Sequence, residues 1–335
     1  MRIFIVLLAM NALCSPYQNV ERHRPNKVTT LKAVPVVMWH GMGDCCCNPL
    51  SMGYIRNVIE ENVDGIYVKS LMLGENIASD TERGFLANMN ELIKNACEQI
   101  RNDSLLQLGY NGIGFSQGGQ FMRAVAQRCP TPPMRNLISV GGQQQGVFGL
   151  PYCPGDTRLC NIIRRLLDMG AYNHYVQQTV VQAQYWHDPL HEDDYKEKSI
   201  FLADINNARD MNPEYKKNLL NLKNFLLIKF KGDNMVVPKE SSVHEEDSVD
   251  VVAVVVFYSA DCITLFKMFQ WFGFYKEGDL DTILPMNETK LYQEDRIGLK
   301  KLDETGRLHF LAVEGDHLKI DKETFIKEVI EKFLK

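Results

Sequence analysis

Tyr110-Asn111-Gly112-Ile113-Gly114-Phe115-Ser116-Gln117-Gly118-Gly119-Gln120 holds the pattern Gly-x-Ser-x-Gly, with Ser116 at its centre. A short apolar run leads into it, and residues 120–128 continue at helical spacing. Strand, sharp turn and helix is the setting of a nucleophile elbow. The demand is steric. The serine sits in a strained turn, and Gly114 and Gly118 stand where a Cβ would collide with a neighbouring strand or helix. The turn lifts the hydroxyl clear of a sheet edge. The backbone N–H of Gln117, at the start of the helix, then faces a developing oxyanion. The five-residue pattern recurs by chance in unrelated chains; its flanks carry the reading.

Outward from the elbow, short apolar runs alternate with helical stretches. Residues 34–39 read as a buried parallel strand, 50–63 as a helix and 66–72 as a second strand. Asp80 is placed to cap one long helix reaching Arg101, with Phe85, Met89, Leu92, Ala96 and Ile100 on one face. The elbow follows, then a strand at 137–140, a strong strand at 224–233 and a last one at 308–317. Residues 322–334 form a closing amphipathic helix. Such alternation predicts an α/β protein with a mainly parallel central sheet and helices on both faces. Residues 142–222, which include amphipathic stretches at 162–169 and 175–186, break the rhythm and must form an insertion over the carboxyl edge of the sheet, where ligands bind in open α/β folds.

Composition narrows the classes. The chain has 335 residues, 45% of them hydrophobic and 24% charged, with a net charge of −5 and no basic block. Nucleic acid is therefore not an expected partner. Met1 and Arg2 followed by an apolar run to Ala9 have the form of a signal peptide ending at Cys14, too short to span a bilayer. Residues 16–32 are polar and read as a loose lead-in. Of the nine cysteines Cys14 would leave with that segment, and export would make the other eight candidates for disulfides rather than zinc ligands, since no Cys-x-x-Cys occurs. Asn102 and Asn287 begin glycosylation sequons. His187 and His191 could suggest a metal, but Pro189 between them spoils a helical ligand pair. No metal and no cofactor is expected.

The chemistry follows from order. In Gly-x-Ser-x-Gly hydrolases the acid and then the histidine come after the serine. His244, His309 and His317 qualify by position. His309 lies inside a strand pattern, and His244 sits among acids in an irregular stretch. His317 stands just past a strand end. Asp233 is the acid that ends a strong strand between Ser116 and His317. Ser116 would attack, His317 would relay the proton and Asp233 would fix its tautomer. The strand before His40-Gly41-Met42-Gly43-Asp44 suits a second oxyanion donor, the backbone N–H of Met42, with His40 holding the loop.

These stretches carry a specific resemblance. His40–Asp44 with Cys46–Gly53, Gly114–Gln120 with Arg123–Cys129, Gly141–Gln143, Gly146–Pro151, Tyr185–Pro189, Phe201–Asn206, Trp271–Tyr275 and Glu314–Leu318 resemble the palmitoyl-protein thioesterase family, from about residue 34 to the end. The resemblance implies an α/β-hydrolase spanning 34–335 that removes long-chain fatty acyl groups from cysteine thioesters of S-palmitoylated proteins, in the secretory pathway and the lysosome. It implies Ser116, Asp233 and His317 as the triad and Met42 and Gln117 as oxyanion donors. It also implies disulfides Cys46–Cys47, Cys97–Cys129 and Cys153–Cys160, with Cys45 where the family has another residue. A palmitoyl chain buries about fourteen methylenes at roughly 0.8 kcal/mol each, and the insertion offers apolar faces for it. Rival readings are a lipase or carboxylesterase acting on oxygen esters, and a lipid-binding protein without activity.

One stretch departs from the family. Residues 242–269 intervene between the acid and Trp271, and residues 249–258 within them are β-branched, apolar and prone to aggregate if exposed. They are expected to be an atypical insert or a coding segment wrongly joined.

Overall fold

Side chains that alternate along the strands feed two separate cores. The computed structural model describes residues 32–149, 162–163, 165–167, 169–233 and 271–335. Its strands are β1 (Val36–Trp39), β2 (Val68–Ser70), β3 (Tyr110–Phe115), β4 (Met134–Val140), β5 (Asn224–Phe230), β6 (Phe274–Lys276), β7 (Asp279–Leu284) and β8 (Leu308–Val313). Six of them form one sheet in the order β2-β1-β3-β4-β5-β8, every neighbouring pair parallel. β6 and β7 form a separate antiparallel hairpin.

Val36, Met38, Ile113, Phe115, Leu226 and Ile228 point to one face, where Val58 and Ile59 of helix Met52–Asn62 and Val329 and Ile330 of the closing helix Phe325–Leu334 cover them. Val37, Trp39, Leu137, Phe225 and Leu227 point to the other, under helices Met89–Asn102 and Gln117–Arg128. A strand buried on both faces must be apolar at every position, and β1 is: Val36, Val37, Met38 and Trp39 are all at most 1% exposed. This is the expected α/β architecture.

Three local expectations need correction. The single helix from Asp80 is two helices, Ile77–Arg83 and Met89–Asn102. Asn76 and Asn88 cap them, while Asp80 lies buried within the first. Asp80 is not a cap because its carboxylate is taken by Leu73 N at 2.7 Å and Cys46 N at 2.9 Å. Between the helices Leu86 bridges Val180, and Phe85 O accepts from Val181 N at 2.9 Å, so the break hands backbone to the insertion. For the same reason the expected stretch 175–186 splits into His174–Thr179 and Val181–Gln184. The second strand is also shorter than 66–72, because only Val68–Ser70 pair with β1.

Residues 1–14, Cys153, Cys160, His244 and the stretch 242–269 lie outside the described residues. No described helix is long and apolar enough to cross a membrane.

Candidate active site

β3 ends at Phe115, and Ser116 follows with φ 53° and ψ −122°, a left-handed conformation that costs on the order of 1–3 kcal/mol for a residue with a side chain. Ser116 N donates to Val140 O at 2.8 Å, which ties the turn to β4. The two pattern glycines explain themselves by contact. A Cβ on Gly114 would lie 2.0 Å from Gly118 O, and one on Gly118 would lie 2.6 Å from Trp39 O.

Two later strand ends bring the partners. Asp233 follows β5 and His317 follows β8. Their loops are bonded to each other by Gly232 N donating to Gly315 O at 2.8 Å. His317 Nε2 lies 3.0 Å from Ser116 Oγ, and His317 Nδ1 lies 2.5 Å from Asp233 Oδ2. The Asp233 side chain is fully buried and that of His317 is 5% exposed. A buried carboxylate on Nδ1 calls for a proton there, which leaves Nε2 unprotonated and facing the serine hydroxyl. All three residues expected for the triad thus converge. His309 does not: it sits within β8 and bonds Asn224 Oδ1 at 2.8 Å.

The loop after β1 passes directly beside the serine. A Cβ on Gly41 would be 3.2 Å from Ser116 Cβ. Met42 comes next, half-buried against an apolar cluster of Phe85, Val176, Val180 and Ala183 contributed partly by the insertion. His40 anchors this loop from beneath. Its Nδ1 is 2.9 Å from Gly41 O, and its Nε2 is 3.3 Å from Asp80 Oδ2, with both side chains fully buried. Burial pushes His40 down, but the adjacent Asp80 carboxylate more than offsets this and leaves its pKa raised. Burial likewise pushes Asp80 up, but His40 and the backbone N–H groups of Cys46 and Leu73 hold it below the usual carboxylate value.

Gln117, the other expected oxyanion residue, opens helix Gln117–Arg128 and is buried. Its side chain donates to Gly84 O at 3.0 Å and accepts from Tyr185 OH at 3.4 Å, so the insertion braces the elbow. Sequence reading missed two members of the site. Gln143 Nε2 stands 3.3 Å from Ser116 Oγ, and Asp80 is the partner of His40. The run Gln143-Gln144-Gln145 directly after β4 was the available signal for the first; nothing local marked the second.

Several expected residues lie away from this centre. Cys46 is bonded to Cys47, and Cys97 to Cys129. Cys45 is itself disulfide-bonded. Asn102 and Asn287 are exposed. His187 bonds Gln145 O and Glu192 Oε2, each at 2.8 Å, and stacks between Tyr195 and Phe274. His191 pairs with Asp188 on the surface. Among the described residues no three His, Cys, Asp or Glu side chains gather as a metal site.

A parallel sheet that presents a serine on a strained elbow, with a histidine and an acid delivered from two later strand ends, defines an α/β-hydrolase. The sequence profile of the palmitoyl protein thioesterase family matches residues 35–268 and 249–317. Palmitoyl-protein thioesterase 1 of Caenorhabditis elegans is 56% identical over 334 residues, covering 99% of each chain. Palmitoyl-protein thioesterase 3 of Dictyostelium discoideum is 33% identical over 286 residues, 84% of each. Lysosomal thioesterase PPT2 of Mus musculus is 27% identical over 280 residues, 80% of this chain and 76% of that one. The chain belongs to the palmitoyl protein thioesterase family and is an enzyme of the thioester hydrolase class.

Proposed function

We propose that this enzyme removes palmitoyl and similar long-chain acyl groups from the cysteine side chains of S-palmitoylated proteins, through a Ser116 acyl-enzyme. One observation carries the reading: Ser116 Oγ, His317 Nε2 and Asp233 Oδ2 form a continuous hydrogen-bonded line at the carboxyl edge of the sheet. Ser116 attacks the thioester carbonyl while His317 takes its proton, and Asp233 holds the imidazole in the tautomer that can do so. The backbone N–H groups of Met42 and Gln117 receive the developing oxyanion. The thiolate, with an ordinary pKa near 8.5, leaves with little help. Water then attacks the acyl-enzyme with His317 again as base, and the fatty acid departs.

The apolar cluster against Met42 supports a place for the acyl chain, because it begins at the oxyanion residue and continues into the insertion. The N-terminal apolar run and the lysosomal relative support passage through the secretory pathway to the lysosome, with carbohydrate on Asn102 and Asn287 and a disulfide between Cys153 and Cys160. The test is release of free palmitate from an S-palmitoylated peptide. The wild-type chain releases it and Ser116→Ala does not; equal release by both would place the nucleophile elsewhere.

A further inference from the structure

Three consecutive glutamines follow Gly142, and each makes a different buried contact. Gln144 Oε1 accepts from Arg123 Nε at 2.8 Å, and its Nε2 donates to Ser139 Oγ at 2.8 Å. Gln145 Nε2 donates to Phe272 O at 2.5 Å, and its backbone O faces His187 Nδ1 at 2.8 Å. The loop is therefore fixed on both sides of Gln143, which is 5% exposed. Gln143 is the one whose amide reaches the nucleophile, at 3.3 Å from Ser116 Oγ.

Chemistry sets the direction of that contact. Ser116 has one hydroxyl proton, and it goes to His317 Nε2, because Nδ1 is engaged by the Asp233 carboxylate. Gln143 must then donate its N–H to a lone pair of Oγ. Its own Oε1 is buried with no hydrogen-bond partner among the described residues. Leaving a buried acceptor unmatched is unfavourable, so the side chain is held in this place against a local cost.

We propose that Gln143 is a further catalytic residue, whose amide N–H stabilises charge on Ser116 Oγ when the acyl-enzyme breaks down. The proposal rests on the Ser116 acyl-enzyme reading above. In deacylation a water oxygen adds to the acyl carbonyl carbon and its proton passes to His317 Nε2. The C–Oγ bond then breaks, Oγ takes the bonding pair, and the His317 proton returns to Oγ as the fatty acid leaves. The two halves of the reaction are unequal. In acylation the leaving atom is a thiolate sulfur, stable at a pKa near 8.5. In deacylation the leaving atom is an alkoxide oxygen, far more basic. A donor aimed at Oγ acts on the harder half.

The experiment is the steady state and the intact mass of Gln143→Met, which keeps length and removes the donor, on an S-palmitoylated peptide. Slowed deacylation lowers kcat and KM together by about tenfold or more, a loss in the range of one missing donor. It leaves kcat/KM within about twofold, and acyl-enzyme accumulates on Ser116. An unchanged kcat, or a kcat/KM that falls as far as kcat with no acyl-enzyme, overturns the proposal. If Gln143→Met does not fold, Gln143→Glu, of the same shape and with an acceptor in place of the donor, is read by the same split. If the wild type forms no acyl-enzyme from the thioester, the proposed function has failed. The split is then read with whichever fatty acyl ester does acylate Ser116.

Discussion

His40 and Asp80 are paired beneath the active site, Nε2 to Oδ2 at 3.3 Å, with neither side chain exposed. His40 adjoins the Gly41 backbone that passes beside Ser116, and Asp80 accepts from the backbone of Cys46 further along the same loop. The pair thus fixes the loop that carries Met42. Its pH dependence has two opposite limbs. His40 is raised above its ordinary 6.5, so its share of stability is full below that value and fades as pH rises through the folded one. Asp80 is lowered from 3.8, so its share is present above that value and fades as pH falls through the folded one. The ion pair is strongest between these limits, in mildly acidic solution.

Asp80→Asn should therefore lower the thermal midpoint more at about pH 5 than at about pH 9. At pH 5 the substitution leaves a charged imidazole buried without its partner. The backbone bonds lost with the carboxylate add a part that does not vary with pH. Midpoints of wild type and variant measured at both values check this. Equal differences would mean that the charge of His40 plays no part.

Gly118→Ala should cripple the elbow. The new methyl would stand 2.6 Å from Trp39 O, which is backbone of β1 and cannot swing aside as a side chain could. Overpacking of this kind costs about 1–3 kcal/mol, and the shift it forces moves the Gln117 N–H away from the place proposed for it at the oxyanion. Labelling of Ser116 by a fluorophosphonate should slow at least about tenfold alongside a lowered thermal midpoint. Normal labelling would show that the turn tolerates a Cβ.

Asp233→Asn should lower kcat by up to about 10⁴-fold with the fold retained. The amide can present its N–H to Nδ1 and so favour the tautomer that protonates Nε2, the wrong one for accepting from Ser116. Rate measurements with thermal midpoints as control separate this from unfolding. A loss of less than tenfold would move the orienting acid to another residue.

The elbow was legible because its signal is local: strand, strained turn and helix lie within Tyr110–Arg128, and the glycine requirement is written at Gly114 and Gly118. Asp233 and His317 were legible because a strand end is a one-dimensional feature and chain order filters the candidates. The break at residues 84–88 was not, since the face of Met89, Leu92, Ala96 and Ile100 continues in phase with Phe85. What separates them is the backbone bond from Val181 to Phe85 O, made by a segment nearly a hundred residues away. Asp80 read as a cap because Asp before an apolar run commonly is one; its real partners, His40, Cys46 and Leu73, come from other elements. Gln143 reaches Ser116 only because β4 lies beside β3 in the sheet, a relation set by pairing and not by sequence period.

The central claim is that this site hydrolyses thioesters of long-chain fatty acids. The most direct test compares kcat/KM for one palmitoylated peptide in two forms, the acyl group on cysteine sulfur and on serine oxygen, with wild type and Ser116→Ala side by side. The thioester should be cleaved at least about tenfold faster, and Ser116→Ala should cleave neither. Equal or faster cleavage of the oxygen ester by the wild type would contradict the account and make the chain an esterase on the same scaffold.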